Sequence, residues 1–244
     1  MAQVTKSVLT VLIFLATCWA ATLWYLRRVW FYRDPKRTPP DNPRAILAPA
    51  DGIVVYVKRF SGGKVESNKN RERIPLSEIT KCSWGEWGEG WLLGIYMSPL
   101  DVHFNYAPIS GEVVKIVHTP AKLNLPMVDL WEYVKLTYLR KVVDLFSHRF
   151  RLQNERNTIF LSGQGITLAM VEIADKFVNK IRCFVKEGQH VTMGEKMSFI
   201  ERGSQVDLVI PADNVRMTVK TGDRVVGGET IVAISEADVE RNST

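Results

Sequence analysis

Hydrophobic positions follow two regimes along the chain, and the change falls near residue 34. Residues 8–26, VLTVLIFLATCWAATLWYL, form a run of about nineteen without a charge, enough to cross a bilayer as a helix. Beyond it the apolar residues come in short bursts rich in Val, Ile and Tyr, separated by Gly and Pro, which is the pattern of β-strands. Such bursts cover residues 46–57, 91–97, 112–118, 159–161, 166–173 and most of the chain from 182 to 234. Two stretches instead carry helical spacing. Residues 127–150 place Leu130, Val134, Tyr138, Val142 and Leu145 near one side, with Lys135, Arg140, Lys141 and Arg149 among them. This helix is expected to cover the sheet, with a place on a membrane interface as the alternative. Residues 173–182 read as a second, short helix.

The strand pattern also repeats. PADGIVV at 49–55 is echoed by PISGEVV at 108–114, and VKEGQHVTMGE at 185–195 by VKTGDRVVGGE at 219–229. Each echo sets Gly at turns between short strands. Recurrence of this kind predicts a mainly β (α+β) domain with few helices. Its expected architecture is duplicated and barrel-sandwich-like, as in lipoyl-carrier modules.

Composition narrows the function classes. The chain has 244 residues with 46% hydrophobic and 24% charged, enough for a buried core. Its net charge is +6, and Arg27, Arg28, Arg33, Lys36 and Arg37 cluster after the apolar run, beside Trp24, Tyr25, Trp30, Phe31 and Tyr32. An aromatic belt with a basic collar fits an anionic membrane surface, and the positive-inside rule puts the rest of the chain in the cytoplasm. A cleaved signal peptide is the competing reading, with Lys6 as its charged end and Trp19-Ala20-Ala21 as its cleavage site. The length of the run and the basic block behind it favour a retained anchor. The expected division is an anchor and collar at 1–33, a Pro-rich linker at 34–45 and a domain at 46–244. Cys18, Cys82 and Cys183 offer no disulfide framework. Neither a zinc-type Cys/His spacing nor a helix-turn-helix is present, so no metal and no nucleic acid are expected.

Three places join a reactive side chain to a tight turn: Asp51 in PADG, His103 in MSPLDVHFNYAP, and Ser204 in ERGSQVD. Asp, His and Ser on separate loops are the minimum for activating a hydroxyl, since His takes the proton and Asp orients the His. Taken singly, Gly203-Ser204 is equally a plain turn, Asp51 an Asp-Gly turn and His103 a core histidine. A serine hydrolase would need a nucleophile elbow of the G-x-S-x-G kind, which the Ser204 segment lacks.

In order along the chain, FYRDPKR, APADGIV, MSPLDVHFNYAPISGEV, NERN, KIRCFVKEGQHVTMGE and RGSQVDLVIP resemble the blocks of the phosphatidylserine decarboxylase family in its shorter form. The resemblance spans residues 31–233. It implies a proenzyme that cuts itself between Gly203 and Ser204, with Ser204 becoming a covalent pyruvoyl group. It implies a lyase that forms a Schiff base with phosphatidylserine and releases phosphatidylethanolamine, with Asp51, His103 and Ser204 as the charge-relay set for self-cleavage. The two product chains, 1–203 and 204–244, are expected to stay associated. A homo-oligomer is a further option. Two alternatives stand beside this: a serine-bearing archaeal ether lipid as substrate, and a membrane-tethered lipoyl-like adaptor without catalysis. The chain departs from the family pattern at Tyr106, where longer members carry a second histidine, at Gln205, and in the long 125–150 segment.

Overall fold

The computed structural model describes residues 2–66, 73–84, 87–121, 123–139, 141–147, 150–176, 181–201, 204–211 and 214–236. It separates into two compact units, Met1–Pro35 and Lys36–Thr244. The first is a helix, Ala2–Tyr25, continued by a wider helical turn over Leu26–Trp30. The hydroxyls of Thr10, Thr17 and Thr22 return to the carbonyl four residues earlier, so none of them would face an apolar phase unpaired. Gln3–Trp30 reaches a mean hydropathy of 1.9, long and apolar enough to span a bilayer.

The second unit is mainly β. A ten-stranded sheet runs in the order His190–Val191, Gly111–Thr119, Arg156–Gly163, Ile166–Ala174, Ser204–Ile210, Glu89–Met97, Gly52–Ser61, Lys64–Glu66 and Arg73–Pro75, with Arg224–Val225 also pairing to Gly52–Ser61. Two three-stranded sheets lie apart from it: Ala45–Leu47, Ile231–Ser235 and Val215–Met217 in one, Phe104–Tyr106, Lys196–Ile200 and Ile181–Cys183 in the other. All pairings are antiparallel, and the sheets are not closed into a barrel. One face of the large sheet packs through Val54, Leu93, Ile95, Leu161, Met170 and Val206 on Ile46, Met197, Ile200 and Ala233 of the small sheets. The other face is covered by Leu76, Ile79, Leu136, Leu145 and Phe146. Because both faces are covered, Ser204–Ile210 is buried at every position and its sequence does not alternate.

The echoes in the sequence correspond to a structural duplication. Gly188 N–H donates to the Val113 carbonyl at 2.8 Å, as Gly222 N–H does to Val54 at 2.8 Å. Ala45–Leu47 pairs with Ile231–Ser235 through a bulge after Ile46, and Phe104–Tyr106 pairs with Lys196–Ile200 through a bulge between Lys196 and Ser198. In the large sheet the two copies meet between Ile166–Ala174 and Ser204–Ile210.

The helical expectations are corrected. Residues 127–150 do not form one helix: the described part has an α-helix at Leu130–Thr137, a 3-10 turn at Leu145–Ser147 and an α-turn at Phe150–Gln153. Asp129 and Glu132 form a capping box at its start, with bonds of 2.7 and 3.1 Å. At its end the N–H groups of Tyr138 and Leu139 both converge on the Val134 carbonyl, and the β-branched Val142–Val143 pair follows. Only Leu136 of this helix is buried, while Leu130, Trp131, Tyr138 and Leu139 are exposed. The short helix at 173–182 is likewise absent from its described residues. Ile173 and Ala174 are strand residues paired to Gln205 and Ser204, and Ile181–Cys183 is a strand. Ladder pairing overrides local helical spacing there. Residues 177–180 lie outside the described residues.

Arg156 fixes the large sheet to the helix Leu76–Thr80. It is fully buried and donates to the carbonyls of Asn154, Ile79 and Glu78. Arg156→Ala is expected to lower stability by about 3–5 kcal/mol, since several buried carbonyls lose their donor at once. A denaturant melt of the variant reads this directly.

Candidate functional site

Ser204 begins its strand between two neighbours, paired to Met97 on one side and Ala174 on the other, and it is fully buried. Its Oγ donates to Met97 Sδ at 3.2 Å. A thioether is a weak acceptor, so this contact does little to hold the hydroxyl back from another reaction partner. Gly203, and with it the bond expected to be cut, lies outside the described residues.

Met97 is also where the loop toward His103 departs. Asp101 Oδ2 accepts from Ser98 N–H at 2.9 Å and Ser98 Oγ–H at 2.6 Å, and its Oδ1 accepts from Arg224 at 3.0 Å. These bonds close the loop. The His103 ring is buried, with Nδ1 3.0 Å from the Asp101 carbonyl oxygen. A carbonyl can only accept, so Nδ1 carries the proton of the neutral ring and Nε2 is the basic nitrogen. The His103 carbonyl in turn accepts from Ile200 N–H at 3.1 Å. The loop is thus fixed at one end opposite Ser204 and at the other on Ile200, four residues before it.

Asp51 reaches the same end of the sheet by another route. It precedes Gly52–Ser61, whose Ile53 pairs with Tyr96, on the side of Glu89–Met97 away from Ser204. Gly52, at φ 155°, permits that close approach: a Cβ would lie 2.2 Å from the Tyr96 carbonyl oxygen. Asp51 Oδ1 accepts from Arg37 at 2.7 Å and from Gly227 N–H at 2.8 Å. Arg37 also donates to the Tyr106 hydroxyl at 3.2 Å. Burial alone would lower the Arg37 pKa, but the bonds to Tyr106 and Asp51 outweigh it and raise the pKa above its ordinary value. The geometry therefore sets Ser204 opposite Met97, from which the His103 loop departs, holds His103 Nδ1 on the Asp101 carbonyl, and joins Asp51 to Tyr106 through Arg37.

Sequence reasoning gives Asp101 no role and reads Arg37 only as part of the basic collar, although both lie inside the blocks quoted above. It also passes over two buried networks. Asp207 Oδ1 accepts from Tyr56 and from Gln205, each at 2.6 Å, and Gln205 also donates to the Tyr56 hydroxyl at 2.6 Å. Tyr56 crosses over Gly94 to make this contact; a Cβ at Gly94 would lie 2.3 Å from the Tyr56 ring. Gly94→Ala is expected to push Tyr56 off Asp207 and to destabilise the chain by about 1–3 kcal/mol, measured by thermal melting. The second network centres on Glu172, which is fully buried and accepts from Asn105 at 2.7 Å, Asn157 at 2.8 Å and the Ser198 hydroxyl. Burial pushes its carboxyl pKa up, and the three donors pull it part of the way back. A lone acid in the apolar run TLAMVEIA was the available signal.

Comparison with known proteins covers these same segments. A family model described as phosphatidylserine decarboxylase matches residues 24–233. A Methanocaldococcus jannaschii protein named "Putative archaetidylserine decarboxylase proenzyme" is 34% identical over 86% of this chain and 90% of its own. The phosphatidylserine decarboxylase proenzyme of Pelobacter propionicus is 31% identical, covering 84% of this chain and 74% of its own. That of Chlorobaculum parvum is 32% identical over 87% and 80%. With the segment that bears Ser204 and all but the last two residues of the final strand inside that match, the chain belongs to the phosphatidylserine decarboxylase family.

Proposed function

We propose that this chain is a proenzyme that cuts itself between Gly203 and Ser204 and then decarboxylates a phospholipid with a serine headgroup, phosphatidylserine in the first place. The observation that carries this reading is the Ser204 hydroxyl, buried at the head of a strand and held, among the described residues, by the thioether of Met97, from which the His103 loop departs.

In the first step His103 Nε2 takes the Ser204 hydroxyl proton while Oγ attacks the Gly203 carbonyl carbon. The amide C–N bond breaks, the nitrogen takes a proton, and an ester remains. Loss of the Ser204 α-proton then expels the Gly203 carboxylate by β-elimination. The dehydroalanine that is left tautomerises and takes up water, releasing ammonia and leaving a pyruvoyl group. Residue 204 fits that group: its main chain is anchored in the ladder on both sides, and the Ala174 opposite is small. When present, the pyruvoyl carbonyl would bind the headgroup amine and accept the electron pair left by departing carbon dioxide. His103, whose Nδ1 is held on the Asp101 carbonyl, would return the proton.

The two products would remain one particle. Ser204–Ile210 lies between Glu89–Met97 and Ile166–Ala174, and Ile231–Ser235 pairs with Ala45–Leu47, so the small chain is built into two sheets of the large one. The apolar helix at Gln3–Trp30 and the arginines after it suit an anchor in an anionic membrane with the domain on the cytoplasmic side. A serine-bearing archaeal ether lipid is the second reading of the substrate, favoured by the Methanocaldococcus jannaschii relative. Release of labelled carbon dioxide from carboxyl-labelled phosphatidylserine, and its loss after treatment with a carbonyl reagent, tests the activity. No release from either lipid by a cleaved protein would sink it.

A further inference from the structure

The duplication supplies an internal comparison for the buried network around Glu172. Asn105 is paired with Ser198, one step from the bulge, and the matching pair in the other copy is Ile46 with Ala233. In the large sheet Glu172 is paired with Asn157, and the matching pair is Ile210 with Trp91. Ile46, Ala233 and Ile210 are fully buried in the apolar core. The same backbone arrangement therefore closes without a carboxylate, an amide or a hydroxyl at these positions. Where they occur, Asn105 Oδ1 is buried with no hydrogen-bond partner among the described residues, and a carboxyl group is withheld from water, both of which cost stability. A network that the other copy does without, and that carries a desolvation cost where it occurs, calls for another role.

Its connections indicate which. Glu172 Oε1 accepts from both Asn105 and Ser198, and Asn105 also donates to Ser198 at 3.1 Å. Asn105 is two residues past His103. Ser198 is two residues before Ile200, which holds the His103 carbonyl. Glu172 is two residues before Ala174, the ladder partner of Ser204. We infer that Glu172 is a positioning residue for the self-cleavage proposed above: through Asn105 and Ser198 it locks the strand that carries His103, and the strand that leads into segment 201–203, onto the strand that registers Ser204. It touches none of the reacting atoms.

Copying the apolar copy onto this one tests the inference. The full chain carrying Glu172→Ile, Asn105→Ile and Ser198→Ala is expected to melt at or above the parent's midpoint, yet to cut itself about 100-fold more slowly, the cost of a small misplacement of reacting groups. The rate is read as the decay of uncut chain by intact mass after a translation pulse. If the triple variant does not fold, Glu172→Gln decides, because it keeps the shape; slowing by about tenfold at an unchanged melting midpoint is expected. Ser198→Thr, which keeps the hydroxyl, should cut faster than Ser198→Ala. A purely structural role would shift the melts and leave the cutting rate alone. A folded triple variant, or Glu172→Gln, cutting at the parental rate would overturn the inference. A parent chain that never cuts itself would instead overturn the function proposed above.

Discussion

Ser204→Ala is expected to leave the chain at full length and without decarboxylase activity. The side chain loses one oxygen, and that oxygen's contact is a 3.2 Å bond to a thioether, so the fold should change in stability by no more than about 1 kcal/mol. The chemical loss is total. Alanine offers no oxygen to receive the Gly203 acyl group and no leaving group to eliminate, and no other residue can supply the carbonyl. A gel of the purified variant should show one band, and carboxyl-labelled substrate should release no carbon dioxide. Ser204→Thr keeps the oxygen but adds a methyl group to a fully buried position between Met97 and Ala174. It should cut slowly, because overpacking moves the hydroxyl away from its path.

His103→Gln is expected to fold and to slow self-cleavage by a factor of about 10²–10⁴, the usual worth of a positioned general base. Glutamine can still donate to the Asp101 carbonyl as Nδ1 does at 3.0 Å, but it cannot take the Ser204 proton. The comparison with His103→Ala separates chemistry from packing. Alanine leaves a void at a fully buried position and should lower the melting midpoint as well. Added imidazole should restore part of the rate in His103→Ala, where there is room for it, and not in His103→Gln. If His103→Gln cuts at the parental rate, the base lies elsewhere.

The sequence reading went furthest where local pattern and tertiary role coincide. The glycine turns of VKEGQHV and VKTGDRV mark equivalent hydrogen bonds, because a turn glycine is fixed by the backbone it must adopt. The small sheets show the opposite. Ala45-Ile46-Leu47 and Phe104-Asn105-Tyr106 share no residue, and their matching bulges and equal distance from the PADGIVV and PISGEVV echoes identify them as equivalents. Residues 127–150 were misread because exposed Leu130, Trp131, Tyr138 and Leu139 carry the same spacing as a buried face. At the site, the blocks mark Ser204, His103 and Asp51 as candidates, and they do so from their turn contexts alone. The partner of Asp51 was not legible: Arg37 comes from the Pro-rich stretch read as a spacer, and the 2.7 Å bond between them is set by tertiary packing. Thr38 N–H, which donates to Glu229 at 2.9 Å, ties the same stretch to the domain. Tyr106, at the place of a second histidine in longer members, is bonded to Arg37 and thereby to Asp51. Sequence could point to that substitution but not to what the new side chain holds.

Self-cleavage at one bond is the central claim, and the intact mass of the purified, denatured protein tests it most directly. The account predicts two chains, residues 1–203 and residues 204–244 of the 244. The smaller should be lighter by one ammonia than a chain that begins with serine, and should react with a carbonyl reagent. A single uncut chain, or a small chain that begins with an unmodified Ser204, would contradict it.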